Sequence, residues 1–223
     1  RSLVGSEMCI RDRVHHYLDG YCVATPDLKT LLESYHIPPE IIHVTGIPVR
    51  RAFYEKAAEG KPFEKGTVLV MSGGLGLGNV IDNITRLDEV KEISKFIVIT
   101  GKNINLYEKV AMLSEKLHHP VELHSYTNKV AEIMARSELL VTKPGALTCT
   151  EALVMHLPMV LVNTLPGQER ANAMHMKNQG CAEWVKRDEL PSTVKHILTN
   201  PDLRLRMSKA CGESLPDSES DVV

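Results

Sequence analysis

Short, continuously apolar segments recur along most of this chain, and segments of helical character separate most of them. After Gly66 these apolar segments are residues 68–71, 96–100, 121–123, 139–142, 159–162 and, more weakly, 182–185. Strands that are apolar on both sides are buried on both faces, which is typical of parallel strands joined by covering helices. The pattern predicts a doubly wound α/β domain with one parallel sheet over residues 66–223.

Residues 14–65 have the pattern of a fragment of another α/β unit, followed by a linker. Strands are predicted at residues 21–24 and 41–44, with a helix between them and a second helix before a Gly-Lys-Pro segment. We therefore expect the domain boundary to lie between Gly46 and Gly66.

The first residues of the chain differ from the rest. Residues 1–13 (RSLVGSEMCIRDR) show neither helical nor strand periodicity, and they do not begin with Met. The segment resembles a translated sequencing-adapter read, so it is left out of the fold prediction. Under this interpretation the chain is a truncated product that lacks the N-terminal part of the protein.

Composition argues against several classes of protein. A formal net charge of -2, without a long basic run, gives no electrostatic reason to expect nucleic acid as a partner. The five cysteines are scattered and contain no C-x-x-C pair, which argues against a disulfide framework or a zinc site and for a reducing cytosol. No apolar run approaches the roughly 20 residues that span a bilayer.

A glycine-rich loop, residues 72–78 (SGGLGLG), directly follows the first strand of the predicted domain. Glycines let backbone N–H groups approach a phosphate, and the next helix directs its positive end at it. The loop lacks the Gly-Lys-Ser/Thr of a Walker A motif. The second strand ends at Thr100 without the acidic residue that holds the ribose of a dinucleotide. A tight turn that binds no ligand is the alternative.

A second loop follows the fourth strand and contains Pro144 and Gly145. A helix predicted to begin near Leu147 offers free N–H groups to a diphosphate. Glu151, one turn into this helix, is placed to accept hydrogen bonds from both hydroxyls of a ribose. Thr148 and Glu151 also have the spacing of a capping box, in which the glutamate only satisfies the helix start. The spacing alone does not decide between these interpretations.

A third loop, Pro166-Gly167, follows the fifth strand and leads into a helix start with Gln168, Glu169 and Asn172 on one side. Amide and carboxylate groups suit the recognition of sugar hydroxyls. A solvated helix start with a favourable glutamate is the alternative. All three loops follow the carboxyl ends of strands in one predicted sheet, where open α/β sheets bind ligands. Their coincidence favours a ligand site.

Together these motifs resemble the bacterial processive diacylglycerol glucosyltransferases and the plant monogalactosyldiacylglycerol synthases. Both are related to the peptidoglycan enzyme that adds N-acetylglucosamine to lipid I. The resemblance extends from about Val14 to the end of the chain. It rests on residues 21–25, 45–50, 72–78, 142–145 with Thr148, Glu151 and Ala152, and 166–169 with Asn172. The combination of Lys-Pro-Gly…Glu-Ala with a later Pro-Gly-Gln-Glu favours the glycolipid-forming enzymes over the peptidoglycan enzyme.

The resemblance implies a GT-B glycosyltransferase, in which two Rossmann-like domains face each other across a cleft. The second domain, here residues 66–223, would bind the UDP-sugar, and the first would bind the lipid acceptor. Glu151 would hold the ribose, the backbones of residues 74–76 and 145–148 would contact the diphosphate, and Arg50 would add positive charge. The residues implied to bind the UDP-sugar are Arg50, Gly74, Leu75, Gly76, Tyr126, Thr127, Gly145, Ala146, Leu147, Thr148, Glu151, Gln168, Glu169 and Asn172.

Within this set, Tyr126 and Thr127 would line the uracil pocket, and Gln168 and Glu169 would contact the hexose. Ala146 departs from the family pattern, in which glycine is frequent at this position. The general base would belong to the acceptor domain, so no catalytic residue is expected in this chain. No Asp-x-Asp motif occurs, so neither a bound metal nor another cofactor is implied.

The resemblance implies transfer of a hexose from UDP-glucose or UDP-galactose to diacylglycerol or a glycosylated diacylglycerol. The enzyme would act as a peripheral protein on the cytoplasmic face of the cell membrane, with the membrane contact on the acceptor domain. One alternative is transfer of N-acetylglucosamine to an undecaprenyl-linked peptidoglycan precursor. The other is a nucleotide-sugar binding module without turnover.

Overall fold

The computed structural model describes residues 14–15, 17–60, 62–71, 79–164 and 167–215. Residues 1–13, which resemble an adapter read, lie outside these ranges. The chain divides into two compact units between Val49 and Arg50, and the second unit extends to Ser214.

The first unit contains two parallel strands, β1 (Tyr21–Val23) and β2 (Ile42–Val44). Helix α1 (Pro26–Ser34) lies between them in sequence, and a 3-10 turn precedes β2. Thr25 is the N-cap of α1, and its hydroxyl accepts a hydrogen bond from the backbone N–H of Leu28 at 3.3 Å. Both predicted strands and the predicted helix are confirmed.

The second unit alternates strands and helices along its whole length. Its elements are α2 (Arg51–Ala58), β3 (Thr67–Met71), α3 (Val80–Leu87), β4 (Lys95–Ile99), α4 (Ile104–Ser114), β5 (Val121–His124), α5 (Val130–Arg136), β6 (Leu139–Thr142), α6 (Ala146–Val154), β7 (Met159–Leu161), α7 (Gln168–Asn178), β8 (Ala182–Trp184), a 3-10 turn (Arg187–Glu189), α8 (Leu190–Thr199) and α9 (Pro201–Glu213). All six strands predicted for this part of the chain are present, with ends that differ by one residue at most.

These six strands form one parallel sheet in the order β5-β4-β3-β6-β7-β8. Counted from β3, this is the order 3-2-1-4-5-6 of a doubly wound fold, in which the strand order reverses between β3 and β6. The predicted fold class is confirmed.

The central strand β3 is buried on both faces of the sheet. Successive residues of a strand point to opposite sides, and both sets are covered here. Val68 and Val70 of β3 belong to a core that includes side chains of α3, α4 and α8. Leu69 lies between them on the other face, and none of the three is more than 1% exposed. Helix α2 packs against α5 and α6. Burial on both sides explains why the central strands are mostly apolar.

A buried carboxylate holds the amino end of β3. Glu138, just before β6, is 2% exposed and accepts a hydrogen bond from the backbone N–H of Gly66. Its other carboxylate oxygen lies 3.0 Å from Nε of Arg204 in α9, as an ion pair without hydrogen-bond geometry. This contact joins three segments that are distant in sequence at the amino edge of the sheet.

Glu122 of β5 makes the fold sensitive to acid. Burial acts to raise the pKa of Glu122, but hydrogen bonds from Arg136, His124 and Lys95 outweigh it and lower the pKa to about 2. A carboxyl whose pKa is lower in the folded state stabilises the fold above its unfolded pKa. This contribution is therefore lost as the pH falls from about 4.5, the ordinary value, to about 2.

We predict that Glu122→Gln lowers the melting temperature at pH 7 and that the difference from the wild type vanishes near pH 2. Thermal unfolding followed by circular dichroism between pH 7 and pH 2 measures this. Glu108→Gln, at an exposed site on α4, is the control. A difference that stays constant with pH would contradict the assignment.

Candidate functional site

The strands that precede two of the three predicted loops are neighbours at the point where the strand order of the sheet reverses. Strands β3 and β6 are neighbours, and Met71 pairs with Thr142 at their carboxyl ends. Open α/β sheets bind ligands in the crevice at this point. Helix α6 follows β6 directly and starts at this edge. The glycine loop after β3 lies outside the described residues, and so do its predicted diphosphate contacts, Gly74, Leu75 and Gly76.

Among the described residues, no side chain caps the start of α6. Gly145 is its N-cap, and a Cβ atom built on Gly145 would meet no atom within 4 Å. The N–H groups of Ala146, Leu147 and Thr148 belong to the first turn, where a helix leaves its donors without intrahelical partners. A helix start of this kind carries partial positive charge and suits an anion.

The structure contradicts one of the two interpretations of Glu151, and the ribose role stays a prediction. A capping box needs Thr148 at the N-cap, but α6 already begins at Ala146 and Thr148 lies inside it. The capping-box alternative is therefore wrong. Glu151 is half-buried, and within the described ranges its carboxylate accepts no hydrogen bond. Burial raises the pKa of Glu151, and the positive charge of Arg50 partly offsets this. Its oxygens are available to a ligand.

The start of α7 is joined to the second loop by two contacts between side chains and that loop. Lys143 Nζ forms an ion pair with Glu169 at 2.8 Å, and Asn172 Nδ2 donates a hydrogen bond to the carbonyl oxygen of Pro144 at 3.1 Å. These contacts, which the sequence did not predict, hold the start of α7 against the loop before α6. A role of Glu169 and Asn172 at the hexose stays a prediction.

The loop before α7 turns at a glycine. Gly167, the N-cap, has φ 92° and ψ -126°, a conformation that glycine adopts readily and other residues do not. Gln168 is the first residue of α7, so its backbone lies at the carboxyl edge. Its side chain lies outside the described part of the chain.

The residues predicted at the uracil also lie at the carboxyl edge, beyond β5. Tyr126 is 59% exposed, and Lys102 Nζ lies 5.5 Å from the centroid of its ring. The hydroxyl of Thr127 accepts a hydrogen bond from the backbone N–H of Lys129 at 3.1 Å. In the sheet order β5 is separated from β3 by β4, so these residues lie at one side of the switch point.

Arg50 is exposed and is the N-cap of α2, with its guanidinium carbon 5.2 Å from the centroid of the Phe53 ring. Its positive charge acts to lower the pKa of Glu151, against the larger effect of burial. A role of Arg50 beside the diphosphate stays a prediction.

A cluster of three asparagines was missed by the sequence analysis. Asn163 follows β7, and its side chain lies within hydrogen-bond distance of those of Asn79 and Asn83. The available signal was a polar residue that interrupts the apolar segment of β7 at the carboxyl edge. The partners are 80 or more residues away in sequence, so local pattern did not reveal them.

Metal-ligand clusters and membrane-spanning helices are both absent from the part of the chain that the structure describes. Among these residues, no group of three or more His, Cys, Asp or Glu side chains could hold a metal ion. Nor is any helix in the described ranges long and apolar enough to cross a membrane. The expectation that no metal or other cofactor takes part stays a prediction.

Residues 67–221 match the model of the glycosyltransferase family 28 C-terminal domain. The chain belongs to glycosyltransferase family 28. It is 30% identical to the processive diacylglycerol beta-glucosyltransferase of Bacillus subtilis (strain 168), over 94% of this chain and 57% of the relative. It is 29% identical to the enzyme of that name from Bacillus licheniformis, with the same coverage. The chain thus spans somewhat more than half the length of these family 28 relatives.

Solved structures show the same fold. MurG of Acinetobacter baumannii superposes with a TM-score of 0.60 at 20% identity, over 95% of this chain and 60% of MurG. HepE of Anabaena, solved in complex with UDP, superposes with a TM-score of 0.63 at 12% identity, over 94% of this chain and 65% of HepE. The predicted Rossmann-like fold of a GT-B glycosyltransferase is confirmed.

Proposed function

We propose that this family 28 chain binds a UDP-sugar at the carboxyl edge of its six-stranded sheet. The observation that carries the proposal is the start of α6 at the switch point. Within the described residues, no side chain caps this helix N-terminus, and a Cβ atom built on Gly145 would meet no atom within 4 Å. The half-buried carboxylate of Glu151 lies in the next turn and accepts no hydrogen bond from these residues. A diphosphate matches the first feature and a ribose diol matches the second.

In the proposed complex, the diphosphate lies against the N–H groups of residues 146–148, with Arg50 nearby as a cation. The glycine loop supplies further backbone donors. The two ribose hydroxyls donate hydrogen bonds to Glu151, which stabilises the ionised form of this half-buried acid. Gln168 and Glu169, at the start of α7, contact the hexose, and Tyr126 and Thr127 contact the uracil.

We further propose that the protein transfers a hexose from UDP-glucose or UDP-galactose to diacylglycerol or a glycosylated diacylglycerol. The names of the Bacillus relatives support diacylglycerol as the lipid and glucose as the sugar. The acceptor hydroxyl attacks the anomeric carbon as the bond to UDP breaks, and a general base on the acceptor domain takes its proton. Negative charge on the leaving UDP is stabilised by the α6 N-terminus and Arg50, without a divalent metal.

The lipid acceptor implies an enzyme that works at a membrane surface. We propose a peripheral protein on the cytoplasmic face, where UDP-sugars are available, with the membrane contact on the acceptor domain. The unit of residues 50–214 then presents the donor sugar to that domain.

The choice of donor is tested by thermal shift with UDP-glucose, UDP-galactose and UDP-N-acetylglucosamine. ADP-glucose is the control for recognition of the uracil. A ligand at 100 times its Kd stabilises the fold by about 2.7 kcal/mol, so binding is readily detected. We expect UDP-glucose or UDP-galactose to give the largest shift. A largest shift with UDP-N-acetylglucosamine would favour the peptidoglycan alternative. The absence of a shift with all three would contradict nucleotide-sugar binding.

Transfer is tested with radiolabelled UDP-glucose and diacylglycerol vesicles. We expect the 223-residue chain to bind the donor but to form no glycolipid, because the base and the lipid site belong to the acceptor domain. The full-length Bacillus subtilis relative is the positive control. Labelled glycolipid from the 223-residue chain alone would contradict this division of labour.

Gln168→Ala is expected to weaken UDP-glucose binding by about 1 kcal/mol, the scale of one hydrogen bond, and to leave UDP binding nearly unchanged. The reason is that the third loop carries groups suited to hydroxyls rather than to phosphates. Calorimetric titration of both ligands measures this, with Gln179→Ala at the opposite end of α7 as the matched control. Equal losses for UDP and UDP-glucose would show that the loop contacts another part of the ligand.

A further inference from the structure

Asn163 occupies an unusual backbone position between two parts of the proposed site. It follows β7 and has φ 54°, in the left-handed region that few residues other than glycine and asparagine adopt readily. Asparagine tolerates this conformation because its short polar side chain can form hydrogen bonds with nearby groups. The contacts that hold Asn163 are made by its side chain.

Both polar atoms of the Asn163 amide are used. Its Nδ2 donates a hydrogen bond to Oδ1 of Asn83 at 3.2 Å, and its Oδ1 accepts one from Nδ2 of Asn79 at 3.4 Å. Asn79 is the N-cap of α3, the helix that follows the glycine loop, and Asn83 lies in the first turns of that helix. Asn83 is only 4% exposed, so its side-chain oxygen accepts a hydrogen bond from Asn163 in a site that is shielded from solvent.

These bonds connect elements that are not neighbours in the sheet. Strand β6 lies between β3 and β7, so the amide of Asn163 reaches across the switch point. On the other side, the start of α7 is held to the loop after β6 by the ion pair of Lys143 with Glu169 and by the bond from Asn172 to Pro144. The elements that follow β3, β6 and β7 are therefore linked to one another by side chains.

We propose that Asn163 is a positioning residue that sets the distance between the diphosphate-binding and hexose-binding parts of the site. The inference rests on the proposed function, because it takes UDP-sugar as the ligand. UDP alone contacts the elements after β3 and β6, which keep their direct pairing. UDP-glucose also contacts the start of α7, so its binding requires all three elements at their correct spacing.

Asn163→Gly tests this directly, because glycine adopts φ 54° without strain and only the amide is lost. Calorimetric titration of the 223-residue chain with UDP and with UDP-glucose gives the ratio of the two affinities. We expect about a tenfold loss for UDP-glucose and at most about a threefold loss for UDP, as two hydrogen bonds of ordinary strength predict.

Asn83 variants separate positioning from direct contact, since this buried side chain cannot reach the ligand. Asn83→Ala removes one of the two bonds of Asn163, so it should change the affinity ratio in the same direction as Asn163→Gly but by less. The double variant should be no worse than Asn163→Gly, which already lacks both bonds. Asn83→Asp keeps the acceptor oxygen and should retain the wild-type ratio. Asn200→Ala removes the N-cap bond of α9 and is the control for stability alone. It should lower the melting temperature and leave the ratio unchanged.

The outcomes are distinct. If the wild type binds UDP-glucose and Asn163→Gly has the wild-type affinity ratio, the positioning role is overturned while the proposed function stands. A change of ratio in Asn200→Ala equal to that in Asn163→Gly would likewise overturn it, since general destabilisation would then explain both. If the wild type binds neither UDP nor UDP-glucose, the proposed function fails, and this inference fails with it.

Discussion

Glu151→Ala is expected to weaken UDP binding by about 2–3 kcal/mol, roughly 30- to 150-fold, which is the scale of charge-assisted hydrogen bonds to a carboxylate. The expectation follows from a carboxylate that is half-buried, lies in the second turn of α6 and accepts no hydrogen bond from the described residues. Calorimetric titration of wild type and variant with UDP measures the loss.

Thermal stability provides the control for this variant. Because Glu151 does not cap α6, its removal should not lower the melting temperature of the free protein. Glu151→Gln keeps the shape and one acceptor oxygen but not the charge, so its UDP affinity should lie between those of the wild type and Glu151→Ala. An unchanged UDP affinity in Glu151→Ala would exclude the ribose role.

Gly66→Ala is expected to destabilise the fold by about 3 kcal/mol. Gly66 has φ 75°, which costs a residue with a side chain about 1–2 kcal/mol. A Cβ atom at this position would also lie 2.8 Å from two backbone atoms, the carbonyl oxygen of Glu92 and the nitrogen of Ser94. Relief of that contact must move backbone in a tightly packed region, at a further cost of the same order.

Gly60→Ala is the matched control for Gly66→Ala. Gly60 has φ 60°, but a Cβ atom there would meet nothing within 4 Å, so only the backbone strain applies. We expect a loss of about 1 kcal/mol, or a third of that for Gly66→Ala. Urea unfolding of both variants with an unchanged m-value gives the two free energies. Equal losses would show that the close contacts of a Cβ atom at Gly66 do not lower the free energy of unfolding.

The sheet could be predicted well from the sequence because the residues of a buried strand are themselves apolar. The central strands of the second unit are mostly apolar, and most of the loops between strands contain glycine, proline or asparagine, so strand ends were placed to within one residue. Thr25 followed by Pro26 gave the start of α1 for a similar reason, since the capping side chain is itself part of the signal.

Helix α6 shows where local pattern was insufficient. Its start was expected near Leu147 but lies at Ala146. The N-cap is Gly145, which has no side chain that could indicate a capping residue in the sequence. The capping-box interpretation of Glu151 needs Thr148 at the N-cap, three residues beyond Gly145, and the observed start excludes it.

Contacts between distant residues could not be predicted from the sequence. Lys143 and Glu169 are 26 residues apart, and Asn83 and Asn163 are 80 apart. Each of these side chains would be unremarkable in its own segment. They meet only because parallel strands place all their carboxyl ends at one edge of the sheet, which is a property of the topology.

The central claim is that UDP binds at the carboxyl edge of the sheet, against the start of α6. The most direct test is titration of the ¹⁵N-labelled chain with UDP, followed by ¹H–¹⁵N NMR spectra. We predict the largest shift changes at the backbone N–H groups of Ala146, Leu147 and Thr148, and none at Gly66 on the amino edge. Saturable changes confined to the amino edge, or their absence from the first turn of α6, would contradict the claim.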